Sequence, residues 1–574
     1  MVNKLSDKKD LRYEDKPWQS QYKVGPFSLK KTMEPYPKIN IYQFLEDATA
    51  KYPDNVACIY VDEEMTYSEL KLKVDRFANA LLDLGIKKGD LIATVLPSCP
   101  EFIIADFAAM KVGAVHVPLS ILHKAPDLIH ELQLSGAETV VCSYRRLERL
   151  NAIKDQTKVK TIIYTPTKLF PDYKSPEMEH PSEAGYYLLD DLITKYEPLK
   201  ETVEINPLDD LALLPFTGGT TGLPKGTMLT HYNITSSIRQ SVHWMMHNMK
   251  VGIEGKAAAC ICVPVFHAYG HWGVYTSISW GLKMFLMDPR DINKIAETIK
   301  NHRPFIVLAV PTHYNYLTKL DLPKTAIFYA SGAAALAPEL AEKFENKVGF
   351  FISEGYGATE TSTISCINLS ALSKVTGFMP ELKRGIGVPV PDTDVKIVDP
   401  DTGEEVPFGE RGEIWIKGPQ IMKGYWPTPG KGLTEDGWLR MGDIVEIDDD
   451  FYFHIVDRIK DMINVSGNKV YSRVIDDLLY EHPAVDQVGV IGVPDPERPG
   501  SERVKAFILL KREYRGKVTE DEIIQYAREH LKPYAVPKYV EFSKELPLTM
   551  AMKIFKRKLR DEEIAKMKDR GEIK

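Results

Sequence analysis

Short apolar, β-branched runs alternate with stretches of helical period along most of this chain. Residues 91–96 have the composition of a buried strand, residues 101–112 that of a helix, and residues 114–117 that of the next strand. Because a buried strand–helix–strand order places consecutive strands side by side and parallel, the pattern predicts a mostly parallel sheet covered by helices. The alternation recurs to about residue 370, and Thr66 with Glu69 predicts a capping box at one helix start.

The pattern of apolar and turn-forming residues changes beyond residue 370. Residues 385–453 carry short strands between Gly and Pro turns, and from about Asp457 helices and strands mix again. We therefore predict an α/β chain with a large N-terminal domain, residues 1–456, that contains mostly parallel sheets and a small β unit. A smaller α+β C-terminal domain, residues 457–574, follows it. Residues 1–35 are polar and are expected to pack loosely.

Length and charge limit the classes of protein that fit. A chain of 574 residues exceeds a single core, since about 150 residues per domain is usual. The net charge of −7 offers no basic excess for a nucleic-acid partner. The charged start has no apolar stretch behind it, and no run approaches the roughly 18 apolar residues of a membrane span. Six cysteines without a C-x-x-C pair fit reduced thiols, so we expect a cytoplasmic protein without a transmembrane segment.

A glycine- and threonine-rich segment follows the apolar run at residues 211–214. It covers residues 216–226 and reads Phe-Thr-Gly-Gly-Thr-Thr-Gly-Leu-Pro-Lys-Gly. Glycines let backbone N–H groups turn toward an anion, threonine hydroxyls add donors, and a lysine adds positive charge. The segment predicts a polyphosphate-binding loop formed by Thr217, Gly218, Gly219, Thr220, Thr221, Gly222 and Lys225.

This loop is not the P-loop of motor proteins and GTPases. In that motif the lysine directly follows a glycine and precedes Ser or Thr. Here Lys225 lies between Pro224 and Gly226. The spacing therefore excludes the P-loop interpretation.

The loop resembles the phosphate-binding signature of the acyl-adenylate-forming superfamily, which includes acyl-CoA synthetases, luciferases and the adenylation domains of peptide synthetases. Further segments resemble that family's motifs in the same order, at residues 264–267, 331–334, 356–360, 424–426, 438–443, 457–461 and 546–554. The ordered match covers roughly residues 40–560. This many motifs in one order make the resemblance specific.

The resemblance implies a reaction and roles for its residues. A carboxylate would attack the α-phosphate of ATP to form an acyl-adenylate, and coenzyme A would then take the acyl group. Lys553, Thr217 and Glu360 are the implied catalytic residues, and Thr217 and Glu360 would also hold Mg²⁺. Asp443 would accept hydrogen bonds from the ribose hydroxyls. The other implied ATP and AMP contacts are Gly332, Ala333, Glu354, Gly355, Tyr356, Gly357, Thr359 and Arg458.

The second half-reaction implies a mobile C-terminal domain. The family rotates this domain so that coenzyme A can reach the adenylate, and Lys460 matches the hinge position. After rotation, Gly467 would face the site and leave room for the pantetheine arm. His267 either borders the acyl pocket, as the resemblance implies, or is a satisfied core histidine, and His231 is expected to be structural.

Departures from the family pattern leave alternatives open. Met552 precedes Lys553 where the family usually has glycine, and Met441 replaces a threonine beside Asp443. A degenerate protein that binds nucleotide without catalysis is therefore one alternative. Within the family, the absence of a carrier sequence favours a stand-alone CoA ligase, most similar to fatty acyl-CoA ligases, with aryl and short hydroxy acids as alternatives. Oligomerisation and peripheral membrane contact stay open.

Overall fold

The computed structural model describes residues 11–217, 224–378, 382–549 and 552–573. Its α-helices are Tyr42–Lys51, Tyr67–Asp83, Pro100–Lys111, Ala125–Ser135, Leu147–Asn151, Leu189–Lys195, His231–Gln240, Val242–Met245, Lys250–Ile253, Ala268–Ser279, Ile292–His302, Pro311–Leu317, Pro338–Val348, Ser370–Val375, Ser472–Tyr480, Glu520–His530 and Lys556–Asp569. The predicted capping box is present at Tyr67–Asp83, where the Thr66 hydroxyl accepts from the Glu69 N–H. Residues 218–223, which include five of the predicted glycine-loop residues, lie outside the described residues.

Within the described residues, two large sheets of nine strands each form the main body. The strands of the first sheet, in spatial order, are Phe216–Thr217, Lys225–Thr230, Leu211–Leu213, Val115–Ser120, Leu91–Leu96, Thr139–Ser143, Thr161–Thr165 and Tyr186–Leu188, with Gly424–Tyr425 beside Lys225–Thr230. Strands Leu211–Leu213 through Tyr186–Leu188 pair in parallel, whereas the strands around the glycine loop pair antiparallel.

The second large sheet carries the strands whose ends reach the site. In spatial order they are Val388–Pro389, Cys366–Ile367, Ile352–Tyr356, Phe328–Ser331, Ile306–Ala309, Ala258–Ile261, Lys283–Leu286, Val56–Tyr60 and Glu63–Thr66. The central six pair in parallel, as predicted. Cys260 and Cys262 lie on one face with their sulfurs 3.5 Å apart, and all six cysteines are buried.

Smaller sheets complete the chain. In the described part of the molecule, four antiparallel strands form the predicted β unit, in the order Asp394–Val398, Gly412–Lys417, Leu439–Ile447 and Phe453–Arg458. The C-terminal part contains the hairpin Ile463–Val465 with Asn468–Val470 and the sheet Val485–Pro494, Glu502–Leu510 and Tyr539–Phe542. The predicted α/β fold class is confirmed.

The buried residues form separate apolar clusters in the body and in the C-terminal part. The three clusters of the body contain buried residues only up to Phe453, and the two C-terminal clusters begin at Ile463. The strand Phe453–Arg458 runs across the expected boundary between residues 456 and 457. The two-domain division stays a prediction that these separate cores support. Over the described residues, no helix has both the length and the apolar character needed to cross a membrane.

The N-terminal segment is packed, so the prediction of a loose segment is wrong for residues 11–35. Trp18 is fully buried and meets Phe453 edge-on, with ring centroids 5.7 Å apart. The Tyr22 hydroxyl donates to the Pro389 carbonyl oxygen at 2.8 Å. The polar composition misled the prediction because a few well-spaced aromatic side chains supply the buried surface.

We predict that Trp18→Ala destabilises the body by ~3–5 kcal/mol, the usual cost of truncating a buried tryptophan. The expected result is a clear fall in the apparent melting temperature, measured by differential scanning calorimetry at one scan rate. Phe27→Ala serves as the control, since Phe27 is an aromatic residue of the same segment that is 47% exposed. Equal effects of the two substitutions would contradict a packed segment.

Candidate active site

A cleft of about 1200 Å³ collects most of the predicted site residues. Its walls come from the strand ends of both large sheets, from the small β unit and from the C-terminal part. The predicted residues that line it are Thr217, Lys225, His267, Gly332, Ala333, Glu354, Gly355, Tyr356, Gly357, Thr359, Glu360, Asp443, Arg458, Lys460 and Lys553. One cleft therefore brings together side chains that are up to 336 positions apart in the sequence.

Two neighbouring parallel strands end in turns at the cleft. The strand Phe328–Ser331 leads into Gly332 and Ala333, and Ile352–Tyr356 leads into Gly357. Parallel strands place their carboxyl ends at one edge of a sheet, where ligands bind in open α/β sheets. At Gly357 a Cβ atom would lie 1.9 Å from the Thr363 carbonyl oxygen, so only glycine fits this turn.

The Asp443 carboxylate is held from both sides. The Tyr356 hydroxyl donates to Oδ2 at 2.7 Å, and the Arg458 Nε–H donates to Oδ1 at 2.8 Å. Asp443 is 5% exposed, and burial together with this carboxylate raises the pKa of Tyr356 well above its usual value. Tyr356 therefore stays protonated, and Asp443 presents an acceptor to the cleft that hydroxyl donors could share.

Oxygen and nitrogen groups face each other at the glycine-loop end of the cleft. The Glu360 carboxylate accepts from the Tyr425 hydroxyl at 2.7 Å, and the Lys225 ammonium lies 4.8 Å from the Tyr425 ring centre. The half-buried Thr217 lies at the strand end that precedes the loop, and its hydroxyl donates to the Lys225 carbonyl oxygen at 3.5 Å. A carboxylate and a hydroxyl are hard oxygen ligands that suit Mg²⁺.

Lys553 enters the cleft from the C-terminal part. Its ammonium has no hydrogen-bond partner among the described residues. Removal from water lowers its pKa to about 8, and the positive charges of Arg458 and Lys460 act in the same direction against the opposing effect of Asp443. Desolvation and Arg458 likewise lower the pKa of Lys460 to about 8. Around Lys553 itself, the positive charges of Arg458 and Lys460 thus add to that of the ammonium, and this local arrangement favours anionic ligands.

His267 has both a structural contact and a position beside the cleft, so it fits both interpretations that the sequence allowed. It caps the helix Ala268–Ser279, its Nδ1 accepting from the Tyr269 N–H at 3.3 Å, and it also borders the cleft. Desolvation and the Lys553 charge lower its pKa to about 3, so the ring is neutral. Behind it, Trp272 and Ile306 separate the cleft from an apolar cavity of about 10 Å³.

Among the predicted residues, five fall outside the described part of the chain and one lies away from the cleft. Gly218, Gly219, Thr220, Thr221 and Gly222 lie outside the described residues, although Thr217 and Lys225 on either side of them line the cleft. Gly467 lies at the exposed turn of the hairpin Ile463–Val470, where its N–H donates to Asn464 Oδ1 at 2.9 Å. The prediction places Gly467 at the site only after rotation of the C-terminal domain, and it stays a prediction.

Sequence reasoning missed a charged cluster beside Lys553. The Lys556 ammonium lies 2.6 Å from an Asp476 carboxylate oxygen, and it also donates to the Ser472 hydroxyl at 2.8 Å. Burial raises the pKa of Asp476 to about 7, against the opposing effect of Lys556. The available signal was weak, because Lys556 stands in a run of basic residues that resembles a solvated helix face.

Sequence profiles and relatives agree on one family. The profile of the AMP-binding enzyme matches residues 45–426, and that of the AMP-binding enzyme C-terminal domain matches residues 474–553. A long-chain-fatty-acid–CoA ligase of Bacillus subtilis (strain 168) is 33% identical over 569 residues, which cover 96% of this chain and 98% of the relative. A feruloyl-CoA synthase of Amycolatopsis sp is 32% identical over 86% of this chain and 93% of its own.

Solved structures agree with these relatives. ATP-bound MatB from Rhodopseudomonas palustris matches with a TM-score of 0.79 at 25% identity, over 92% of this chain and 99% of its own. The fold and these relatives define an AMP-forming acid–CoA ligase. The chain belongs to the AMP-binding enzyme family, as its motifs predicted.

We predict that Gly357→Ala weakens ATP binding at least tenfold, because the new methyl group must displace the turn that carries Tyr356 and Thr359. Isothermal titration calorimetry with ATP measures the change in Kd. Gly252→Ala is the control, since a Cβ there would meet no atom within 4 Å and Gly252 is not a cleft residue. Similar Kd values for the two variants would contradict the role of this turn.

Proposed function

We propose that this enzyme is an AMP-forming acyl-CoA synthetase, because one lysine from the C-terminal part enters the cleft that forms the proposed nucleotide site. The carrying observation is that Lys553 reaches the cleft lined by Asp443, Tyr356 and Glu360. Relatives that span nearly the whole chain are acid–CoA ligases, which confirms the predicted reaction class.

The first half-reaction needs two anions brought together. A carboxylate oxygen of the acid attacks the α-phosphorus of ATP, the bond from that phosphorus to the bridging oxygen breaks, and the electron pair leaves with pyrophosphate. The Lys553 ammonium, unpaired among the described residues, would contact the carboxylate and the α-phosphate as negative charge builds between them. Asp443 would accept from the ribose hydroxyls, and Tyr356 would lie against the adenine.

Thr217 and Glu360 are the residues that would hold Mg²⁺. Their oxygen atoms fit that ion, and both line the glycine-loop end of the cleft. When bound, Mg²⁺ neutralises part of the triphosphate charge. Lys225 would add a second positive charge at the same end.

The second half-reaction transfers the acyl group. The coenzyme A sulfur attacks the adenylate carbonyl carbon, the carbon–oxygen bond to AMP breaks, and the thiol proton is released. Lys553 occupies the cleft in this structure, whereas Gly467 is exposed outside it. We propose that the C-terminal domain rotates about Lys460 between the two steps, so that Gly467 replaces Lys553 at the site.

For the acid, we propose a fatty acid. Apolar side chains form the end of the cleft beyond His267, with Trp272, Ile306 and Phe328 among them. The Bacillus subtilis relative is named for long-chain fatty acids, and the feruloyl-CoA synthase keeps an aryl acid as the second candidate. A cytoplasmic location is proposed with it, and peripheral contact with a membrane would suit an acid of low solubility.

The proposed function predicts thioester formation that depends on Lys553. Purified protein is incubated with Mg-ATP, coenzyme A and acids from acetate to palmitate, plus ferulate and 4-hydroxybutyrate, and products are read by mass spectrometry. We expect fatty acyl-CoA from the wild type, and a loss of at least 100-fold in adenylate formation for Lys553→Met. Lys558→Met, at an exposed position of the following helix, is the control. No thioester and no adenylate from any acid would support the degenerate alternative.

We also predict a pH dependence for adenylate formation. Only protonated Lys553 carries the charge that the step needs, so kcat/KM for ATP falls as pH rises through about 8. Lys460→Gln removes a neighbouring positive charge that lowers the Lys553 pKa, and the falling limb therefore moves to higher pH. Pyrophosphate exchange measured from pH 6 to 10 gives the limb, and an unchanged limb in the variant would assign it to another group.

A further inference from the structure

One face of a short helix in the body carries three polar contacts to the C-terminal part. Thr312 and Asn315 lie in the helix Pro311–Leu317, and Lys319 lies in the turn that follows it. Positions 312, 315 and 319 have the spacing of one helix face. We call these three side chains the docking face.

The partners of the docking face belong to two segments of the C-terminal part. The Thr312 hydroxyl donates to the Met552 carbonyl oxygen, and Asn315 Nδ2 lies 3.5 Å from the Asp486 carbonyl oxygen. The Lys319 ammonium donates to both Asp486 carboxylate oxygens, at 2.9 and 3.0 Å. The contacts therefore fix the start of the strand Val485–Pro494 and Met552, which directly precedes Lys553.

The backbone of Met552 shows why these contacts matter for the position of Lys553. Its φ of 59° is in the left-handed region that favours glycine, and its side chain packs against the apolar core of the body. A residue with a side chain keeps this conformation only where its surroundings fix it. The Thr312 hydrogen bond and the packing of Met552 both fix it from the body, next to the lysine that enters the cleft.

An ordinary surface ion pair is the plainer interpretation of Lys319 and Asp486. Exposed pairs usually contribute little. This pair differs in two ways. The Asp486 side chain is only 15% exposed, and the helix that ends just before Lys319 makes two further contacts with the C-terminal part. All three contacts join the body to the C-terminal part, so they form only while that part is in the present position.

We propose that the docking face positions Lys553 for adenylate formation by holding the C-terminal domain in this position, and that its release accompanies acyl transfer. The proposal rests on the function proposed above. Thr312 and Asn315 border the cleft, but the contacts described here run from Thr312, Asn315 and Lys319 to Met552 and Asp486. We therefore treat the three as positioning residues that act through the C-terminal part. Weakening the face favours the other position of the domain and must affect the two half-reactions in different ways.

The test separates the half-reactions for Lys319→Met. Pyrophosphate exchange reports adenylate formation, and single-turnover conversion of a synthetic fatty acyl-adenylate with coenzyme A reports acyl transfer. We expect exchange to fall about two- to five-fold, the range for one ion pair, while acyl transfer is unchanged or faster. Lys319→Arg should restore exchange, and the swap Lys319→Asp with Asp486→Lys should recover part of it.

The control removes a comparable pair that does not reach the C-terminal part. Lys300→Met breaks the exposed pair of Lys300 and Asp321, which lie 2.6 Å apart within the body. Thr312→Val gives a second probe, with lower kcat for exchange and an unchanged KM for ATP. Equal loss of rate in both half-reactions, or no loss in either, overturns the proposed role of the docking face. A wild type without exchange would instead overturn the proposed function.

Discussion

The site depends on a positive charge that is largely removed from water and unpaired among the described residues. Desolvation disfavours the protonated form of Lys553, and the nearby Arg458 and Lys460 add to that effect. Anions would balance this charge, so the surroundings of Lys553 suit a phosphate and a carboxylate better than neutral ligands. The other parts of the fold place donors and acceptors around this ammonium at fixed positions.

Each structural unit contributes a different kind of group to the cleft. The parallel strands of the body end in tight turns, and Gly357 lets one of them pass within contact of the Thr363 carbonyl. The antiparallel β unit supplies Asp443 from a strand whose neighbour supplies Arg458, so their ion pair is a cross-strand contact. The C-terminal part supplies Lys553, so the proposed chemistry depends on the position of that part relative to the body.

The sequence predicted what local patterns encode. The strand at residues 91–96, the capping box at Thr66 and the grouping of Tyr356, Asp443 and Lys553 follow from periodicity and from motifs. The docking face could not be predicted, because Lys319 and Asp486 are 167 positions apart and polar contacts between distant segments leave no local pattern. The left-handed backbone of Met552 gives a physical reason for the glycine that the family usually has there.

The buried tryptophan near the start of the chain has a consequence during synthesis. Trp18 packs on Phe453, which is made 435 residues later. At the usual rate of about 5–20 residues per second, that partner emerges roughly 20–90 seconds after Trp18. For that time the nascent chain carries an unburied aromatic segment at its leading end, so the body closes only when translation is mostly complete.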